Sequence, residues 1–216
     1  MILDSMPLLD HDLFAAFLLA TVALVLMPGP IVTLVVANSL TYGVRTGLAT
    51  VAGTSSGNAL LVAAGALGLT TLLALLAGLF EWIRWLGAVY LVYLGLRQWR
   101  AAWRPAMAPE TVSVPSARGV FGQGILVAVT NPKTILFYAA FFPQFLDTAL
   151  PVAPQLAAMS VAFVLIAIAV DTGYALLAGR LRFVLVSARH NRLRHGITGT
   201  LLIATGLGLA LARRSS

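Results

Sequence analysis

The chain has 216 residues, 60% of them hydrophobic and only 10% charged, with a net charge of +7 and a mean hydropathy of +0.94. A soluble domain is about 45–50% apolar and about 25% charged, and one core of this size cannot hide so much apolar surface. An all-α integral membrane protein is expected, and soluble enzymes and nucleic-acid binders are excluded. With no cysteine, disulfides, thiolate metal sites and dithiol redox chemistry are excluded as well.

Asp4, Asp10 and Asp12 stand before the first apolar run, where a signal peptide would carry basic residues, so that run is expected to be retained. A helix needs about 20 residues to cross a hydrocarbon core of about 30 Å. The first span lies in the uncharged stretch Leu13 to Leu40, broken at Pro28-Gly29-Pro30. The second runs from about Leu48 to Leu69 and is followed by an apolar connection. The third, about Phe80 to Trp99, carries Glu81 and Arg84 near its outer end. A Pro-rich stretch from Pro105 to Pro115 follows. The fourth span, about Val120 to Leu146, is interrupted at Asn131-Pro132-Lys133, the fifth is Val152 to Ala178, and the short sixth is Ile197 to Ala212.

Basic residues set the orientation. Arg45 follows span one, Arg97, Arg100, Arg104 and Arg118 follow span three, and Arg180, Arg182, Arg189, Arg192 and Arg194 follow span five. These alternate connections share one side, which the positive-inside rule makes cytoplasmic. Six spans with both termini on the outer side are expected, and only Arg213 and Arg214 dissent. The chain then reads as one transmembrane domain, with a first repeat over 12–104, a cytoplasmic linker over 105–118 and a second repeat over 119–212.

Three spans per half is an odd number, so equivalent halves must insert with opposite orientation. The halves share a feature: Pro28-Gly29-Pro30 lies within span one and Asn131-Pro132 within span four. Proline removes an N–H and clashes one turn back, and lipid tolerates such breaks only where protein or a watery cavity supplies partners. Matched breaks in an inverted repeat point to a transporter's central binding site. Two unrelated proline kinks are the simpler alternative.

Four motifs occur in order: Met27-Pro-Gly-Pro, the Gly43–Gly47 turn with Arg45, Arg84-x-x-Gly87-Ala-Val-Tyr90-Leu-x-Tyr93-Leu-Gly95, and Asn131-Pro-Lys133 followed by the aromatic-rich Phe137 to Phe145. From about residue 12 to 212 the chain resembles the lysine-exporter superfamily, in its homoserine/threonine-exporter (LysE/RhtB) branch. The resemblance implies a multi-pass protein of the bacterial inner membrane that exports amino acids or their derivatives, driven by the proton gradient. It also implies that exporters of lysine and arginine carry one carboxylate in span two and another in span four after the Asn-Pro. Here Asn58 stands near the first place and Lys133 to Phe142 contains no acid, which favours a neutral substrate.

Depth places the candidate site. At about 1.5 Å per residue, Asn58 lies roughly 15 Å and Asp171 roughly 13 Å from the cytoplasmic side. Thr54, Ser55, Ser56, Asn58, the Asn131-Pro132-Lys133 turn and Asp171 therefore share a layer with both breaks, and intramembrane ionisable groups are functional suspects by default. Asp171 could exchange a proton as access alternates, or form a permanent ion pair with Lys133. Lys133 could meet a substrate carboxylate, pair with Asp171 or extend to an interface. The half-helices after Pro30 and Pro132 offer free N–H groups to an anion.

Secondary candidates are Ser55, Arg84 and Tyr174, the last one turn after Asp171. Ala49, Gly53 and Gly57, four apart, read as a helix-packing face. Tyr90, Tyr93, Trp99 and Trp103 read as packing and an interface belt. His11, His190 and His195 fall outside the predicted spans, so no metal or other cofactor is expected. A membrane enzyme would need a convergent catalytic set, and Asp171 and Lys133 are the only buried titratable pair, so no enzyme is expected. The expected partners are a small solute, protons and the bilayer. The solute is a neutral amino acid or similar zwitterion, with another small solute (a cation, peptide or toxic organic compound) as the alternative. Six short spans make a thin wall around a cavity, which is compatible with a homodimer.

Overall fold

The computed structural model describes residues 9–66, 80–103, 115–184 and 188–211, and every regular element among them is helical. The helices are α1 (His11–Leu26), α2 (Pro30–Tyr42), α3 (Val44–Ala66), α4 (Phe80–Trp103), α5 (Ala117–Val129), α6 (Pro132–Leu136), α7 (Val152–Val184) and α8 (Ala188–Leu211). A π-helical turn, Phe137–Phe141, and a 3-10 turn, Phe142–Phe145, continue α6. The apolar connection expected after span two and most of the expected cytoplasmic linker lie outside the described residues.

Local chemistry sets the helix ends. The Asp10 carboxylate accepts from Leu13 N at 2.8 Å and starts α1. The Ser116 hydroxyl likewise accepts from Gly119 N at 3.2 Å and starts α5. Both α2 and α6 have proline at their first position, where no N–H is needed. Gly43 ends α2 at a φ of 97°, a left-handed conformation natural to glycine, and a β-carbon there would lie 2.6 Å from Arg182 Nη1.

Both expected breaks are present. Helices α1 and α2 meet at a 49° bend across Met27-Pro28-Gly29, and α5 is separated from α6 by Thr130-Asn131. Among the described residues, one helix alone, Val152–Arg182, is long and apolar enough to cross a membrane, and the bent α1–α2 pair qualifies if it counts as one span. Helices α3, α4 and α8 have 23, 24 and 24 residues, enough for a crossing by length, but they carry charged or polar side chains along it.

The helices run further than the sequence expectation in three places. Helix α4 reaches Trp103, α7 reaches Val184, and α8 begins at Ala188. His195, expected outside the spans, therefore lies within α8, where it is buried with Nδ1 2.7 Å from Gln98 Oε1. The fourth segment departs the other way, because past its break only five residues are α-helical before the chain widens into the π turn and tightens into the 3-10 turn.

Apolar side chains face outward as well as inward. Leu19 and Trp82 are each 73% exposed, and the long α7 turns Val161, Leu165 and Leu177 outward. Large apolar residues rather than charges cover this surface, as lipid contact requires. Inside, Phe17, Phe137, Phe142, Met159 and Phe163 form an aromatic-rich cluster, with Tyr138 and Phe163 ring centroids 4.9 Å apart.

Small residues set the helix spacing. A β-carbon on Gly53 would collide with Phe121 O, and one on Gly124 would come within 2.7 Å of Thr50 O, so α3 and α5 touch through their backbones. Gly57 lies against Ala128 in the same seam, which agrees with the packing role read from the sequence. Gly95, Gly199 and Gly206 bring α4 and α8 together in the same way.

Gly53→Val should therefore destabilise the fold by about 1–3 kcal/mol through overpacking. Gly122→Ala, with nothing within 4 Å of its β-carbon, should leave stability unchanged or raise it slightly. Thermal unfolding of the purified variants in detergent checks both.

Candidate functional site

A broken helix leaves unpaired groups on both sides of its break. At the first break the carbonyls at the end of α1 are met by side chains from elsewhere. Lys133 Nζ donates to Leu24 O and to Met27 O, each at 2.7 Å, and Tyr174 OH donates to Leu26 O at 2.9 Å. A cation at a helix C-terminus also offsets the negative end of the helix dipole. Lys133 belongs to the second break, so one interrupted helix closes the other. Its side chain runs along Gly29, with Nζ 3.6 Å from where a β-carbon would stand.

The second break is held from within. Asn131 Oδ1 accepts from Lys133 N at 3.1 Å, and its Nδ2 donates to Thr134 Oγ1 at 2.9 Å. This short cap aims the Lys133 side chain across to α1. No comparable side chain caps α2, whose N-cap is Gly29, and Thr33 N donates to Gly29 O at 2.9 Å in its first turn.

Between the breaks is a small, partly open cavity. Gly29, Ile31 and Val32 line it from the first break, and Asn131, Lys133 and Thr134 from the second. Asn58 enters from α3, Phe163, Ala167 and Asp171 from α7, and Leu24 and Val25 complete the wall. Asp171 is 2% exposed and its Oδ1 has no hydrogen-bond partner. The same holds for Asn58 Oδ1, also at 2% exposure.

Five of the residues singled out in the sequence thus meet at one cavity: Gly29, Asn58, Asn131, Lys133 and Asp171. Pro30 and Pro132 are buried at the first positions of their half-helices and shape the breaks, whereas Pro28 is exposed and outside the cavity lining. No ion pair joins Lys133 to Asp171, because the ammonium is directed to the α1 carbonyls instead.

Tyr174 does not line the cavity, since its hydroxyl is turned to the end of α1. Ser55 is buried with Oγ unpartnered but also lies off the lining. Ser56 turns away from the expected layer, with its hydroxyl on Ala52 O at 2.9 Å. Arg84 lies on α4, and its side chain is outside the described residues. The sequence reading missed Thr134 and a buried network on α2, α3 and α5, in which Asn38 Nδ2 donates to Thr50 Oγ1 at 2.9 Å and Gln123 Oε1 at 3.2 Å. Its signal was available as three polar residues within otherwise apolar stretches.

A cavity with an apolar wall and a few polar and ionisable groups, formed where two interrupted helices meet in a helical chain with apolar side chains facing outward, is the build of a membrane transporter. The sequence profile of the LysE type translocators matches residues 22–213, and the chain belongs to that family. It is similar to a homoserine/homoserine lactone efflux protein of Salmonella typhimurium, 34% identical over 201 residues that cover 93% of this chain and 97% of that one. An uncharacterized membrane protein of Vibrio cholerae is 32% identical over 95% of this chain and its own full length. A leucine efflux protein of Salmonella choleraesuis is 36% identical over 135 residues, 62% of this chain and 64% of that one. No solved structure gives a significant match.

Removing the Lys133 ammonium should take a charged donor from Leu24 O and Met27 O at the end of α1, with Leu24 O keeping its bond from Met27 N at 3.1 Å. Lys133→Met should lower stability by about 1–3 kcal/mol, read as a lower unfolding temperature in detergent. Unchanged stability would show that the contact to Leu24 and Met27 carries little energy.

Proposed function

We propose that the protein exports a neutral amino acid or similar zwitterion across the bacterial inner membrane in exchange for protons, by alternating access to the cavity between the two breaks. The observation that carries this reading is Asp171: a buried carboxyl group whose Oδ1 has no hydrogen-bond partner, in a cavity walled by both interrupted helices. The names of the Salmonella relatives, which specify efflux of homoserine or its lactone and of leucine, support an amino-acid cargo.

The chemistry follows from which groups are already occupied. The Lys133 ammonium and the Asn131 amide have partners within the protein. Asp171 is left to receive the substrate ammonium. The substrate carboxylate faces the start of α2, where Ile31 and Val32 line the cavity and the first amides of the helix lack intrahelical acceptors. A zwitterion satisfies both sites, while a side-chain cation would need a second acid, and Asp171 is the only acid in the cavity lining.

Antiport arises because a proton and a substrate ammonium compete for one carboxylate. Asp171 that has taken a proton from the outer side cannot hold substrate, and Asp171 that holds cytoplasmic substrate has released its proton inward. Intramembrane carboxylates serve as proton relays in this way.

The architecture we propose is six spans in two inverted three-helix repeats with both termini on the outer side. Helices α1–α2 and α5–α6 are then equivalent, as are α3 and α7, and α4 and α8. A two-fold relation brings equivalent elements together near its axis, and α3 does pack on α7 and α4 on α8. The same reading allows a homodimer, which adds protein around a thin six-span wall.

Flux of labelled threonine, homoserine, leucine and lysine in proteoliposomes under an imposed proton gradient tests the proposal. Saturable, uncoupler-sensitive flux of a neutral amino acid is expected, with a loss of tenfold or more in Asp171→Asn, on the scale of about 1.4 kcal/mol per factor of ten. Gradient-driven flux that survives Asp171→Asn would remove Asp171 from the coupling step.

A further inference from the structure

Among the described residues, eight buried side-chain oxygens lack a hydrogen-bond partner, and only two of them belong to residues that line the cavity. One is Asp171 Oδ1, used above. The other is Asn58 Oδ1. The remaining polar side chains that line the cavity are engaged: Asn131 with Lys133 N and Thr134 Oγ1, and Lys133 with the Leu24 and Met27 carbonyls. Asn58 therefore lines the space with its Oδ1 acceptor unused.

Its surroundings narrow what that group can read. Leu24, Val25, Phe163 and Ala167 give the cavity an apolar wall that suits a short carbon side chain. An aliphatic side chain in this space leaves Asn58 Oδ1 buried and unpaired, and an unpaired buried acceptor costs about 1–3 kcal/mol. A hydroxyl both donates and accepts, so it satisfies the amide in either of its flipped orientations.

We propose that Asn58 is a specificity-determining residue that selects a neutral amino acid carrying a side-chain hydroxyl over an aliphatic one of the same shape. This rests on the export reading above, with Asp171 and the start of α2 holding the α-ammonium and α-carboxylate. Asn58, on a third helix, reads the side chain.

Threonine and valine are the decisive pair, because they differ chiefly by hydroxyl against methyl. Their relative transport is measured by competition in proteoliposomes for wild type, Asn58→Leu and Asn58→Ala, with each variant first checked for a monodisperse elution profile in detergent. Wild type should prefer threonine by roughly tenfold, within the range that one unpaired buried group allows. In both variants the ratio should fall towards one, because threonine transport drops by more than valine transport.

A preference for threonine that survives in either folded variant would overturn the assignment. So would equal loss of both fluxes, which would make Asn58 a contact to the α-ammonium or α-carboxylate or a structural residue. Wild-type transport of both amino acids without preference overturns the Asn58 proposal and leaves the export reading standing. Transport of neither one, nor of any other amino acid, overturns the export reading itself.

Discussion

The structure depends on how backbone groups are satisfied where two helices are interrupted in a nonpolar surrounding. Each unpaired N–H or C=O in hydrocarbon costs several kcal/mol, so a break in a membrane helix persists only with partners at hand. Here the partners come from across the molecule. Lys133, aimed by the Asn131 cap, holds the Leu24 and Met27 carbonyls, and Tyr174 holds the Leu26 carbonyl. The two breaks are therefore one construction. The amides at the start of α2, which have no side-chain cap, remain on the cavity side of it.

That construction assigns roles that charge alone would have assigned differently. A lysine and an aspartate in one membrane layer suggest an ion pair, yet two neutral carbonyls take the ammonium and the carboxylate is left open. A locked pair would have no capacity for exchange. On the proposed reading, an open carboxylate beside a capped lysine holds a proton or a substrate cation in turn, while the lysine keeps the broken helix in shape. Close backbone contact at Gly53, Gly57 and Gly124 fixes α3 against α5, and Asn58 of α3 lines the same space.

Much of this was legible in the sequence because membrane proteins make polarity informative. Pro28, Pro30 and Pro132 marked the breaks, and Asn58, Asn131, Lys133 and Asp171 stood out as polar residues within apolar runs. Helical rise alone then put them at one depth. The acceptors of Lys133 were not legible, since backbone carbonyls carry no residue signature. The π turn at Phe137–Phe141 was hidden for a similar reason: its sequence is apolar and aromatic, and tertiary packing around Phe17 and Phe163 sets its winding. His195 was placed outside a span because its neighbours are basic, although the helix runs through them and Gln98 partners the imidazole.

The central claim is that proton and substrate compete for Asp171 within the cavity between the breaks. The most direct measurement is proton release when a transported neutral amino acid is added to purified protein in weakly buffered detergent solution over a range of pH. The account predicts release on binding by wild type and none by folded Asp171→Asn. Binding by wild type with no proton released at any pH, or equal release from the variant, would contradict it.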